Sequence, residues 1–152
     1  MSTPFSLQPL LEIMRERSDE ATRKLGQLIA AEHNQKSRLS LLEGYRSEYA
    51  EKMQTAIQNG VSPMLLNNYR EFLGRIDEAI SQQRQMVEKS EQETRSGQEH
   101  WRQQNRQMKA IDTLAQRHDA REQHAEGKRD QKNQDEFSTR KFGKAGGRED
   151  EN

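Results

Sequence analysis

The chain has 152 residues, 25 basic and 25 acidic side chains, and a hydrophobic fraction of only 30%. Leu, Ile, Val and Phe number 24 in all, too few to fill a compact globular core at this length. The zero net charge removes both the usual companion of disorder and the basic excess that phosphate-backbone binding needs, so no nucleic-acid partner is expected.

No cysteine is present, which excludes disulfide frameworks and thiolate chemistry and suits a reducing compartment. The first residues, MSTPFSLQPLLEIM, carry no basic leader region, and no apolar stretch approaches the ~18 residues of a membrane span. The chain therefore reads as soluble and not secreted. A thin coiled coil remains open to such a composition, because its seam needs only two apolar positions in seven.

Proline falls only at Pro4, Pro9 and Pro63. Pro9 is tolerable in the first turn of a helix starting near Leu7. The one strong internal breaker is Asn59-Gly60-Val61-Ser62-Pro63. Gly60 suits the left-handed position past a helix end, and Ser62 with Pro63 reads as N-cap and first residue of the next helix. The spacing predicts helix 1 over about 7–58, a turn at 59–62, and helix 2 from about 63.

Alternating steps of four and three from Leu7 reach Leu11, Met14, Ser18, Ala21, Leu25, Leu28, Glu32, Gln35, Leu39, Leu42, Arg46, Tyr49, Met53 and Ala56. Eleven of these fifteen positions are apolar. On helix 2 the series Leu65, Tyr69, Phe72, Ile76, Ala79, Gln83, Met86, Ser90, Glu93, Gly97, Trp101, Gln104, Met108, Ile111, Ala115 holds ten apolar residues. It needs one extra residue slipped in near Gly97–Trp101.

A short turn favours antiparallel packing, so opposed residues should have numbers summing to about 125. That places Leu28 against Gly97 and Leu25 against Trp101. Gln35 falls opposite Ser90 and Glu32 opposite Glu93, a polar waist. The predicted fold is all-α: a long antiparallel two-helix coiled coil over 1–118, a polar, charged extension over 119–142, and a disordered tail over 143–152. Residues 119–152 hold eight basic and nine acidic side chains, with Phe137 and Phe142 as the only large apolar ones.

Motifs for chemistry are missing. There is no Walker loop, GxSxG, HExxH or EF-hand loop. His118 and Glu122, one turn apart, make at most a two-ligand site, and a solvated helix face is the plainer reading. No catalytic residue, metal, cofactor or small-molecule ligand is expected. What remains is surface. Arg38, Leu42, Tyr45 and Tyr49 follow one stripe of helix 1, and Phe72, Ile76, Ala79 and Gln83 one of helix 2. Both lie in the half nearest the turn, and together they form a candidate partner-binding patch, with Tyr45 beside the seam rather than in it.

Tyr45-Arg46-Ser47-Glu48-Tyr49, Gln58-Asn59-Gly60-Val61-Ser62, Asn68-Tyr69-Arg70-Glu71-Phe72 and Glu78-Ala79-Ile80 resemble the turn-proximal half of the flagellar FliJ family. Trp101-Arg102, Asp130-Gln131-Lys132 and Asp135-Glu136-Phe137 are similar to its later segments. The likeness covers about 5–142.

It implies a non-enzymatic, cytoplasmic part of the flagellar type III export apparatus, peripheral to the inner membrane. It also implies a stalk-like coiled coil that engages the pore of the export ATPase ring, contacts the membrane-embedded export gate and handles empty export chaperones. On that resemblance the patch near the turn is the gate contact and the open end is the ATPase contact. The equivalent stalk of a virulence type III system and a prefoldin-like chaperone are the competing readings.

Overall fold

The computed structural model describes residues 4–149 of the chain, with side chains over 4–143. Two helices account for nearly all of it: α1, Gln8–Asn59, and α2, Pro63–Glu149, packed against each other as an antiparallel hairpin.

The turn forms as its residue types dictate. Gly60 has φ +86°, a left-handed conformation that costs glycine nothing, and its N–H reaches the Ile57 carbonyl at 3.3 Å. Ser62 caps α2: its Oγ accepts from Leu65 N–H at 3.2 Å and its carbonyl from Leu66 N–H at 3.0 Å. These bonds satisfy donors that a helix start would otherwise leave open. Pro63 occupies the first helical position, where no N–H is needed.

The chain divides into two compact units. One holds Ser18–Gln104, and the other the residues up to Arg17 with those from Asn105 onward. In the Ser18–Gln104 unit, Thr22 meets Trp101, Leu28 meets Gly97 and Arg46 meets Asp77. In the other unit Arg15 meets Asp112 at 3.0 Å. The paired numbers sum to 123–127, close to the register expected. The hydrogen bond and charge of Asp77 hold the Arg46 guanidinium above its ordinary pKa.

The seam of α1 is the expected one. Leu11, Met14, Ser18, Ala21, Leu25, Leu28, Glu32, Gln35, Leu39, Leu42, Tyr49, Met53 and Ala56 are covered, with Leu10 and Ala50 beside them, while Leu7 and Arg46 are exposed. The seam of α2 differs. Leu66, Tyr69, Leu73, Ile76, Ile80, Gln83, Val87, Ser90, Thr94, Gly97 and Trp101 face inward, and the series continues through Gln104, Met108, Ile111 and Ala115. Its steps alternate three and four without interruption. The slip expected near Gly97–Trp101 is therefore absent, and Leu65, Phe72, Met86 and Glu93 lie one residue off the seam.

The polar waist is real but paired differently. Gln35, expected opposite Ser90, accepts instead from Gln83 Nε2 at its side-chain oxygen (2.7 Å) and its carbonyl (3.0 Å). A long amide can reach a heptad away. Thr94 Oγ1 donates to the Leu28 carbonyl at 3.3 Å, and Lys36 lies 3.7 Å from both Glu32 and Glu91. Buried Ser90 and Thr94 thus replace apolar layers at mid-seam, which weakens packing there and pins register.

In the unit containing the chain ends, Leu11 is the most deeply buried side chain and the Phe5 ring lies 5.5 Å from that of His118. Beyond His118, α2 continues through 119–142 and on to Glu149. The tail expected at 143–152 is thus helical as far as Glu149, since helix propagation from a long preformed segment avoids the nucleation cost. Residues 150–152 lie outside the described residues.

Candidate functional site

The candidate surface lies in the turn-proximal part of the Ser18–Gln104 unit. The Tyr49 ring sits at the seam, 4.2 Å from Phe72 and 5.9 Å from Tyr69 by ring centroids, with Lys52 Nζ 5.7 Å above it. Tyr49, Leu65, Asn68, Tyr69 and Phe72 line a shallow open groove. Tyr45 lies elsewhere on α1. With Leu41 it stands over the small residues Ser37, Ser40 and Gly44 in a second shallow groove.

The eight residues expected to form one patch therefore split. Arg38, Tyr45 and Phe72 are exposed; Leu42, Tyr49, Ala79 and Gln83 are half-covered; Ile76 is buried in the seam. Tyr49 and Phe72 are in contact, Gln83 is engaged with Gln35, and Ile76 is 8% exposed and offers little surface. Leu41 and Met64, both more exposed than Tyr45, were not singled out from the sequence. Their signal is position: Leu41 is flanked by small residues, and Met64 lies in a stretch without charge.

Another groove lies beside Gly97, between Ala21, Leu25 and Leu28 of α1 and Ser96 and His100 of α2. At Gly97 α2 has no side chain, and Leu28 takes up that space. A Cβ at Gly97 would lie 2.5 Å from Leu28 Cδ1. Trp101 closes the next layer, its indole N–H donating to Thr22 Oγ1 at 2.8 Å. Among the described residues no three His, Cys, Asp or Glu side chains cluster as a metal site, and no helix is long and apolar enough to cross a membrane.

What this arrangement offers is contact surface displayed on a helical hairpin. The sequence pattern of the flagellar FliJ protein family matches residues 3–147, nearly the whole chain. The chain belongs to the flagellar FliJ family. It is 29% identical to the flagellar FliJ protein of Salmonella typhi over 140 residues, 92% of this chain and 95% of that one. The flagellar FliJ protein of Escherichia coli K12 is 27% identical over the same coverage. A solved structure described as a YscO homologue of Chlamydia trachomatis superposes with a TM-score of 0.54 at 13% identity, over 90% of this chain and 93% of that one. That likeness is one of fold. Family and fold together make the chain a helical coiled-coil protein of flagellar, type III protein export.

Proposed function

We propose that this FliJ-family chain is a non-enzymatic, stalk-like coiled coil at the cytoplasmic face of the inner membrane. One end engages the export ATPase ring, the turn-proximal half contacts the cytoplasmic domain of the export gate, and the chain handles export chaperones. The observation that carries this reading is the mismatch in helix length. α1 starts at Gln8, level with His118, whereas α2 goes on to Glu149.

From Glu126 to Gly143 every described side chain is exposed, and the segment carries both charge signs, with Lys128, Arg129 and Lys132 alongside Asp130, Asp135 and Glu136. A single charged helix suits polar contacts inside a ring, and we treat 119–142 as a functional extension of a coiled coil over 1–118. Family membership favours the flagellar apparatus over the stalk of a virulence system. Beyond His118 the described surface is mostly charged and polar, with Phe137 and Phe142 as its exposed large apolar side chains, too few for the apolar helix tips of a prefoldin-like chaperone.

Deleting residues 119–152 tests the division of labour. The truncated chain keeps the apolar seam and should remain helical by circular dichroism. It should no longer stimulate the export ATPase, yet should bind the gate's cytoplasmic domain as before. Retained stimulation, or lost gate binding with helicity intact, would refute the assignment of the ends.

A further inference from the structure

In a chain that is 33% charged, residues 53–69 contain no charged side chain at all. This run, bounded by Lys52 and Arg70, is the last two turns of α1, the connecting turn and the first two turns of α2. Its apolar residues are not all spent on the seam. Met64 is 77% exposed, Ile57 49% and Leu65 47%. Charge is the usual means of keeping a helix surface solvated, and here it is withheld where large apolar side chains point outward. We propose that this hairpin tip docks by insertion into an apolar, uncharged cleft on a protein partner. On the reading above, on which the proposal rests, that partner is the cytoplasmic domain of the export gate.

Lipid and self-association fit less well. A helix that lies on an anionic membrane carries Lys or Arg on its polar face, and the tip has neither. A tip-to-tip dimer is limited by area. Two helices side by side, each about 10 Å across, present an end of about 200 Å², so two tips would bury about 400 Å² in total. A stable interface needs about 1,000 Å² or more. Sinking the last two turns, about 11 Å, into a cleft adds the side walls. A perimeter of about 60 Å then gives about 850 Å² on the tip, the size of a standard interface. Only a concave protein partner offers that.

The test uses the full chain and the gate's cytoplasmic domain, with Met64→Glu as the disruptive variant and Met64→Leu as the conservative one. Met64 is exposed on the first turn of α2, so neither change should alter helicity. Met64→Glu should weaken binding by about 30-fold or more, as for a buried apolar anchor, and Met64→Leu by little. Wild-type affinity should change less than about threefold between ~50 and ~500 mM salt, because no ion pair is involved.

If wild type binds and Met64→Glu binds equally well, the gate assignment stands and tip insertion is overturned. If wild type does not bind the gate domain, both fall. Wild-type binding to phospholipid vesicles, or concentration-dependent dimerisation in light scattering, that Met64→Glu abolishes would identify lipid or a second copy as the occupant and overturn the cleft.

Discussion

Lysine at two adjacent positions decides which stripe of α2 faces α1. Val87 is 8% exposed and Met86 48%. Burying a valine side chain is worth about 1.5–2 kcal/mol, and that is lost in Val87→Lys. Seating an ammonium at the seam adds a further cost, limited because the lysine stem can carry its charge out to the edge. Lysine's better helix propensity returns roughly 0.3–0.5 kcal/mol. The expected net loss is about 2–3 kcal/mol.

Met86→Lys gives up half-exposed surface that the lysine stem largely re-covers, so its effect should stay within about 0.5 kcal/mol. With a urea slope of roughly 1–3 kcal/mol per molar, Val87→Lys should lower the unfolding midpoint by about 1 M, read by far-ultraviolet circular dichroism. Equal midpoints, or a larger loss for Met86→Lys, would refute the uninterrupted three-four seam and restore the slip near Gly97.

The close approach at Gly97 predicts coupling with Leu28. Gly97→Ala gains about 1 kcal/mol of helix propensity but drives its methyl into Leu28, an overpacking cost of about 1–3 kcal/mol. It should be neutral to destabilising alone and stabilising by about 1 kcal/mol in a Leu28→Ala background. A double-mutant cycle of thermal midpoints with no coupling would show that the contact is not tight. The two tyrosines should separate: Tyr45→Ala should weaken gate binding with the melting midpoint unchanged, whereas Tyr49→Ala, which strips the Phe72 and Tyr69 rings of their partner, should lower that midpoint. The reverse pattern would place Tyr45 in the core.

The turn was fully legible because short-range sterics decide it. Gly60 takes positive φ, Ser62 caps and Pro63 opens α2, each for a reason internal to five residues. The phase of α1 was legible because an unbroken three-four count from Leu11 passes through Ala21 and Leu25, which stand apart from other large apolar residues, and so selects one member of each pair such as Leu28-Ile29 or Leu41-Leu42. On α2 the apolar residues come in doublets: Leu65-Leu66, Phe72-Leu73, Ala79-Ile80 and Met86-Val87. Either member satisfies an apolar count, and choosing the first in each pair forces a slip before Trp101. Counting back from Trp101 in unbroken steps selects the second member every time, together with Thr94, whose polarity hides its burial. Continuity of the repeat carried more information than the hydrophobic count.

The same geometry explains why the expected patch divides. Its eight residues fall into two heptad-spaced sets. Leu42 and Tyr49 on α1, with Ile76 and Gln83 on α2, are seam positions. Arg38 and Tyr45, with Phe72 and Ala79, flank the seam. A stripe drawn by steps of three and four passes alternately through both, so sequence spacing alone cannot say which half meets a partner. Exposure separates them: a seam residue spends its surface on the opposite helix, and a flanking residue keeps it. Any partner reaching this region therefore touches the flanking set first, while the seam set fixes where that flank stands. For that reason removal of Tyr45 can separate binding from folding, and removal of Ile76 cannot.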